Sequence, residues 1–153
     1  MIKEAKKLNP SDQLQEKLAL PKGTLDMVLD TDTYNEIDDQ FALVYSAISE
    51  KVNLRAVYAA PFHNARSSGP KDGMLKSYDE ICRVLSLLKV PYDGLVLRGS
   101  TEFMTAEKQP VDSDAAQHLV QLAQKTPQGE LLYVVAIGAI TNVASALTID
   151  PKI

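Results

Sequence analysis

Five carboxylates fall within ten residues of this chain: Asp30, Asp32, Glu36, Asp38 and Asp39. Acids crowded this closely repel one another, and each disfavours ionisation of its neighbours. Keeping them together calls for a positive partner, either a cation or arginines. Asp30-x-Asp32, with Asp38-Asp39 six and seven residues beyond Asp32, can gather oxygens around one point. Hard divalent cations take such ligands. Calcium accepts about six to eight oxygens in flexible geometry, backbone carbonyls included, whereas magnesium demands a tighter octahedron. Zinc suits the stretch less, because no cysteine or paired histidine accompanies the acids. A cation held here would lower the pKa of a water, and a carboxylate beside it could take the proton.

The elements around this stretch must place it at a ligand-binding edge. Residues 25–30 form a short apolar run that ends in acid, as a buried strand does. Ile37, Phe41, Val44 and Ile48 follow at spacings of four, three and four, which is one helix face. The acids therefore bridge the C-terminal end of a strand and the N-terminus of a helix, the edge where open parallel sheets bind ligands. Asp38 and Asp39 fall in the first helical turn, where the helix dipole favours negative charge. One of them could serve as a cap. A cap needs one carboxylate and leaves Asp30 and Asp32 unexplained.

The alternation continues along the chain. Residues 52–60 read as a second strand and 61–73 as a loop on the same edge. That loop carries His63, Asn64, Arg66, Ser67 and Ser68, which could contact a ligand or simply face solvent. A helix is expected over 76–88, with Ile81, Val84, Leu85 and Leu88 on one face. A strand over 94–97 leads into Arg98-Gly99-Ser100, and 101–112 is a loop. A helix over 113–124 turns Ala116, Leu119, Val120 and Ala123 inward and contains His118, read as a structural or surface histidine. A strand over 130–137, a turn at Gly138 and a helix over 139–149, with Thr141 and Asn142 in its first turn, complete the series. The expected fold is α/β: an open, mostly parallel sheet with helices on both faces, a Rossmann-like core. Residues 1–24 form an N-terminal extension, with a short helix starting at Pro10-Ser11-Asp12, carrying Leu14 and Leu18, and stopping at Pro21-Lys22-Gly23. Residues 25–153 form one domain. A four-stranded parallel sheet needs cover at its far edge, so either another chain or a continuation of this one is expected there.

Composition narrows the partners. The 153 residues are 45% apolar and 24% charged, enough for one domain with a core. A net charge of -4, with no basic stripe, argues against nucleic acid. The single cysteine, Cys82, excludes an internal disulfide and a cysteine-based zinc site, and its apolar helical setting reads as a buried thiol. No apolar run would span a membrane, and no apolar signal core follows the charged N-terminus, so a cytoplasmic protein is expected.

Two families resemble the acidic stretch. Asp30-Thr31-Asp32-Thr33 is similar to the opening of the haloacid dehalogenase phosphatases, Asp-x-Asp-x-Thr or Val, but Tyr34 stands at the fifth position. By that resemblance Asp30 would be the nucleophile, and Asp38-Asp39 would have no role. A wider match is to the nucleoside hydrolase family of the inosine-uridine-preferring type. Its first signature corresponds to Asp30-Thr31-Asp32, Asp38-Asp39 and Ala42-Leu43. A second corresponds to Gly138-Ala139-Ile140-Thr141-Asn142-Val143-Ala144, followed by Asp150-Pro151. The two lie more than a hundred positions apart and in the family's order, and the resemblance covers roughly residues 25–153.

That resemblance implies a hydrolase of the N-glycosidic bond in ribonucleosides or related N-ribosides, with calcium preferred over magnesium. Asp32 would be a metal ligand and the base that takes a proton from water. Asp39 would be the second carboxylate ligand, and Ile137 would offer its backbone carbonyl. Asp38 would bind ribose hydroxyls, with Asn64 the nearest candidate for a further ribose contact. Asp30 would steady the turn. Five residues, Thr33-Tyr34-Asn35-Glu36-Ile37, separate Asp32 from Asp38, where the family usually has three, which could bring Asn35 or Glu36 into the pocket. Family chains are about twice this long, and their second half supplies another metal-binding Asp and a catalytic histidine, so the chain resembles an N-terminal half. Little turnover by these residues alone is expected, with the remainder supplied by a continuation or through homo-oligomerisation. Besides the phosphatase, the alternative is a non-enzymatic cation-binding or assembly module.

Overall fold

The computed structural model describes residues 20–105 and 109–153. The short helix expected at Pro10-Ser11-Asp12, with Leu14 and Leu18, lies outside the described residues. Strands and helices alternate in the order β1 (Leu25–Thr31), α1 (Ile37–Ile48), β2 (Val52–Ala59), α2 (Pro70–Leu87), β3 (Val96–Arg98), α3 (Asp114–Lys125), β4 (Leu132–Ala136) and α4 (Thr141–Ile149). The strands form one parallel sheet in the order β3-β2-β1-β4. The α/β fold with an open, Rossmann-like parallel sheet, expected from the alternation of periods, is the fold observed.

The central strand β1 has neighbours on both sides and both faces covered, which is why its middle, Met27-Val28-Leu29, is a continuous apolar run. Successive side chains point to opposite faces. Met27 and Leu29 enter one core with Leu43 of α1 and Ile81 and Leu85 of α2. Val28 enters the other with Tyr58, Leu119 of α3 and Ala146 of α4. By the same alternation Thr31 falls on the α1 side and Asp30 on the α4 side. His118 packs into this second layer as a structural histidine: its Nδ1 lies 2.8 Å from the Tyr58 hydroxyl. Cys82 is half-buried at the margin of the first layer rather than fully enclosed.

Several boundaries differ from the periodicity, among them β3, which begins at Val96 rather than at 94. Helix α2 begins at Pro70, six residues before the apolar repeat becomes visible. Proline is suited to a first helical position, because its ring fixes φ and the N–H it lacks would have no intrahelical partner. Strand β4 is shorter at both ends than the apolar run over 130–137.

Helix α1 departs further. Ile37 and Phe41 are each 69% exposed and Ile48 is 62% exposed, so the apolar stripe read as one helix face turns largely to solvent, with Val44 alone of its four residues packed against the core. The buried face holds Asp39, Leu43 and Ser46. The physical reason is the Thr31 hydroxyl, which donates to Asp39 Oδ1 and pins the first turn of α1 to the end of β1. With Asp39 turned to the sheet, Leu43 one turn on must follow it into the core. Ile37, Phe41, Tyr45 and Ile48 are left on the opposite side.

Strand β4 is an edge of the sheet, and among the described residues no strand pairs with its outer side. Val134 and Val135 remain partly exposed. No helix among the described residues is long and apolar enough to cross a membrane.

The orientation of α1 is testable by urea unfolding. Leu43→Ala is expected to lower stability by about 2–5 kcal/mol, as a fully buried leucine does. Phe41→Ala should change it by about 0.5 kcal/mol or less. A larger loss at Phe41 than at Leu43 would mean that the helix is rotated the other way.

Candidate functional site

In the order β3-β2-β1-β4, chain direction across the sheet reverses between β1 and β4. The helices following these two strands lie on opposite faces, which leaves a crevice beyond the strands' carboxyl ends. The acidic turn leaves β1 at that point, and Ile137-Gly138 leaves β4 beside it. Two backbone bonds hold the edge: Ile137 N–H donates to the Asp30 carbonyl (2.9 Å), and Ala60 N–H to the Thr31 carbonyl (2.8 Å). Glycine at 138 allows a close approach. A Cβ there would sit 3.1 Å from both Asp32 Cγ and the Asp32 nitrogen.

Hydroxyls and amides hold the acids in place. Thr31 spends its one hydroxyl hydrogen on Asp39, so the 2.9 Å contact between the Thr31 and Thr33 hydroxyls has Thr33 as donor. The chain closes a turn with Asn35 N–H donating to the Asp32 carbonyl (2.7 Å), and Asn35 Nδ2 donates to Asp32 Oδ2 (3.1 Å). Helix α1 has no side-chain cap, so neither Asp38 nor Asp39 plays that part. Asp39 is buried and Asp38 exposed, one residue apart on the first turn.

Asp30 is fully buried below this turn. Asn142, in the first turn of α4, donates through Nδ2 to Asp30 Oδ1 (2.8 Å). The Asn142 Oδ1 accepts from the Ser100 N–H (2.7 Å) and hydroxyl (2.8 Å), which ties β1, α4 and the end of β3 together. Gly99 leaves room for this contact, since a Cβ there would collide with the Ala59 carbonyl and the Asn142 amide. Asp30 Oδ2 is the one buried side-chain oxygen or nitrogen among the described residues without a hydrogen-bond partner.

Burial dominates the electrostatics. It pushes the Asp30 carboxyl up to about 7, against the Asn142 bond that favours the charge and with the Asp32 charge adding to the rise. Asp32 is raised to about 6 by burial and then by the neighbouring Asp39 charge, opposed by the Asn35 bond. Asp39 is also raised, by burial first, with the Thr31 bond opposing. Among the described residues no basic side chain forms an ion pair with these acids. The ion pairs among the described residues are Arg55–Asp26, Lys76–Asp72 and Arg83–Glu80, all elsewhere. Arg66 reaches the turn, but its guanidinium donates to the Asn35 carbonyl and not to a carboxylate.

These observations fit a hard cation better than an arginine partner. Asp32 and Asp39 stand within electrostatic reach of each other, and the Ile137 carbonyl lies at the end of the adjoining strand. The protein set is only partial, for among the described residues no three Asp, Glu, His or Cys side chains converge on one point. Two carboxylates and a carbonyl leave several of calcium's six to eight positions to water or ligand hydroxyls.

Of the residues singled out from sequence, the structure brings together Asp32, Asp39 and Asn64. Asn64 arrives indirectly: its Nδ2 donates to Asn35 Oδ1 (2.6 Å). Asp38 and Ile137 stand exposed at the rim. Asn142 and Ser100 had no role from sequence. The motif around Gly138 contains Asn142, but its reach to Asp30 depends on where α4 docks. His63 is exposed on the loop after β2, and His118 reaches from α3 to the Tyr58 hydroxyl, so neither joins the acids.

Because Asp30 and Asp32 bind protons more tightly folded than unfolded, their contribution to stability is fully present below the ordinary carboxyl value of 3.8. It is lost as pH rises through about 6 and 7. Without cations, the melting temperature is expected to fall by several degrees between pH 4.5 and 8. Asp30→Asn should flatten that slope, and an unchanged slope would show that Asp30 ionises freely in the fold. Asn142→Ala, which leaves Asp30 Oδ1 and the Ser100 N–H without a partner, is expected to lower stability by about 2–3 kcal/mol in chemical unfolding. No protein-family model and no curated protein matches this chain, so the case for what the site does rests on its geometry.

Proposed function

We propose that this chain carries the cation-binding and water-activating side of a hydrolase that cleaves the N-glycosidic bond of ribonucleosides or related N-ribosides. The observation that carries the reading is the buried pair Asp32 and Asp39, without a basic partner among the described residues, at the point where the sheet changes direction. A calcium ion bound there would supply Lewis acidity toward water and sugar hydroxyls. Asp32 and Asp39 would hold it, with the Ile137 carbonyl. Asp32, facing the same point, would take the proton from the attacking water. Asp38, exposed on the first turn of α1, and Asn64, on the loop after β2, orient the ribose hydroxyls. Protonation of the departing base falls to a group outside this cluster, since neither His63 nor His118 reaches it. On this reading the protein is a cytoplasmic one acting in purine or pyrimidine salvage.

Two other readings meet the structure differently. A dehalogenase-type phosphatase would use Asp30 as nucleophile, but Asp30 is fully buried and held by Asn142, out of reach of a phosphoryl group. An assembly module is favoured by the outward stripe Ile37, Phe41, Tyr45 and Ile48 and by the open edge of β4. It is compatible with the hydrolase reading, as a homo-oligomer or a companion segment would cover those surfaces.

Calorimetric titration with calcium tests the reading directly. The chain is expected to bind calcium, and Asp32→Asn and Asp39→Asn should each weaken binding by about tenfold or more. Affinity unchanged in both variants would sink the metal site. Where base release from inosine is measurable, Asp32→Asn should lower it about a hundredfold or more, and normal release would remove Asp32 as the base.

A further inference from the structure

Asn35 sits in the five-residue spacer between Asp32 and Asp38 and is partly buried. All four of its polar groups are engaged. Its N–H donates to the Asp32 carbonyl at 2.7 Å, and its carbonyl accepts from the Arg66 guanidinium. Its side chain spans the turn and the next loop: Nδ2 donates to Asp32 Oδ2 at 3.1 Å, while Oδ1 accepts from Asn64 Nδ2 at 2.6 Å. Asn64 is held in turn, because its Oδ1 accepts the Arg66 N–H at 2.9 Å. A flipped Asn35 amide would set an oxygen against the Asp32 carboxylate and an NH2 against the Asn64 NH2. The carboxylate therefore fixes the amide, and the amide fixes Asn64.

We infer that Asn35 is a positioning residue that couples cation binding at Asp32 to sugar binding at Asn64. The inference rests on the hydrolase reading of the site. A cation that immobilises the Asp32 carboxylate orders Asn35, and through it presents Asn64 already oriented to a ribose hydroxyl. The ordering cost of that side chain then falls on the first ligand and not on the second. Linkage requires the converse: a bound nucleoside raises calcium affinity by the same factor.

The test is calorimetry on the full chain with calcium chloride alone, inosine alone, and each in the presence of the other. In the wild type each ligand is expected to tighten the other by about fivefold or more. In Asn35→Ala both ligands still bind, and the factor falls towards one. Asn35→Leu, of similar size but without the amide, provides a second variant: both ligands still bind and the mutual enhancement disappears. Enhancement that survives in both variants overturns the coupling and leaves the hydrolase reading standing. So does calcium binding to a wild type that takes up no inosine with or without the ion. A wild type that binds no calcium overturns the reading of the site, and the coupling with it.

Discussion

Asp30, Asp32 and Asp39 are withdrawn from water at the end of one strand, with no lysine or arginine paired to them among the described residues. Burying a carboxylate in low dielectric disfavours its charge, and like charges nearby disfavour it further. The surrounding structure answers with neutral donors. Thr31 serves Asp39, Asn35 serves Asp32, and Asn142 serves Asp30. None of these donors cancels charge. They orient the oxygens, and the carboxyls of Asp30, Asp32 and Asp39 are all held above their ordinary value.

The same constraint shapes the scaffold. Docking Asp39 on Thr31 sets the rotation of α1, which sends Leu43 into the core and Phe41 outward. Docking Asn142 on Asp30 and Ser100 sets where α4 begins relative to β1 and β3. Gly138 lets the end of β4 press against Asp32, and Gly99 lets β3 pass close to Asn142. Polar contacts near the carboxyl ends of the strands thus fix helix placements that the apolar cores alone would leave looser.

An exposed apolar stripe on α1 and an unpaired edge at β4 lie on surfaces that soluble proteins ordinarily keep polar or covered. The stripe follows from the rotation of α1, since a helix with apolar residues on two sides can bury one of them against the sheet. The acidic turn and this apolar face are therefore linked through one helix.

The fold class was legible in the sequence, because strand and helix periods alternate cleanly and each strand is bounded by polar or turn residues. The position of the acids at a sheet edge was legible for the same reason: an apolar run ends in Asp30, and a helix begins at Ile37. Periodicity could not say which side of α1 would be buried, because the stripe at Ile37, Phe41 and Ile48 was the stronger pattern and Asp39 does not look like a core residue. Nor could it place Asn142 against Asp30, or Asn35 between Asp32 and Asn64, since those contacts join residues from different elements or from loops whose geometry no local rule sets. Sequence by itself determined which residues carry charge and which segments form elements, as both follow from side-chain chemistry and short-range spacing. Only the tertiary structure decided which carboxylates lose their water and which neutral groups hold them, because desolvation depends on everything packed around an atom.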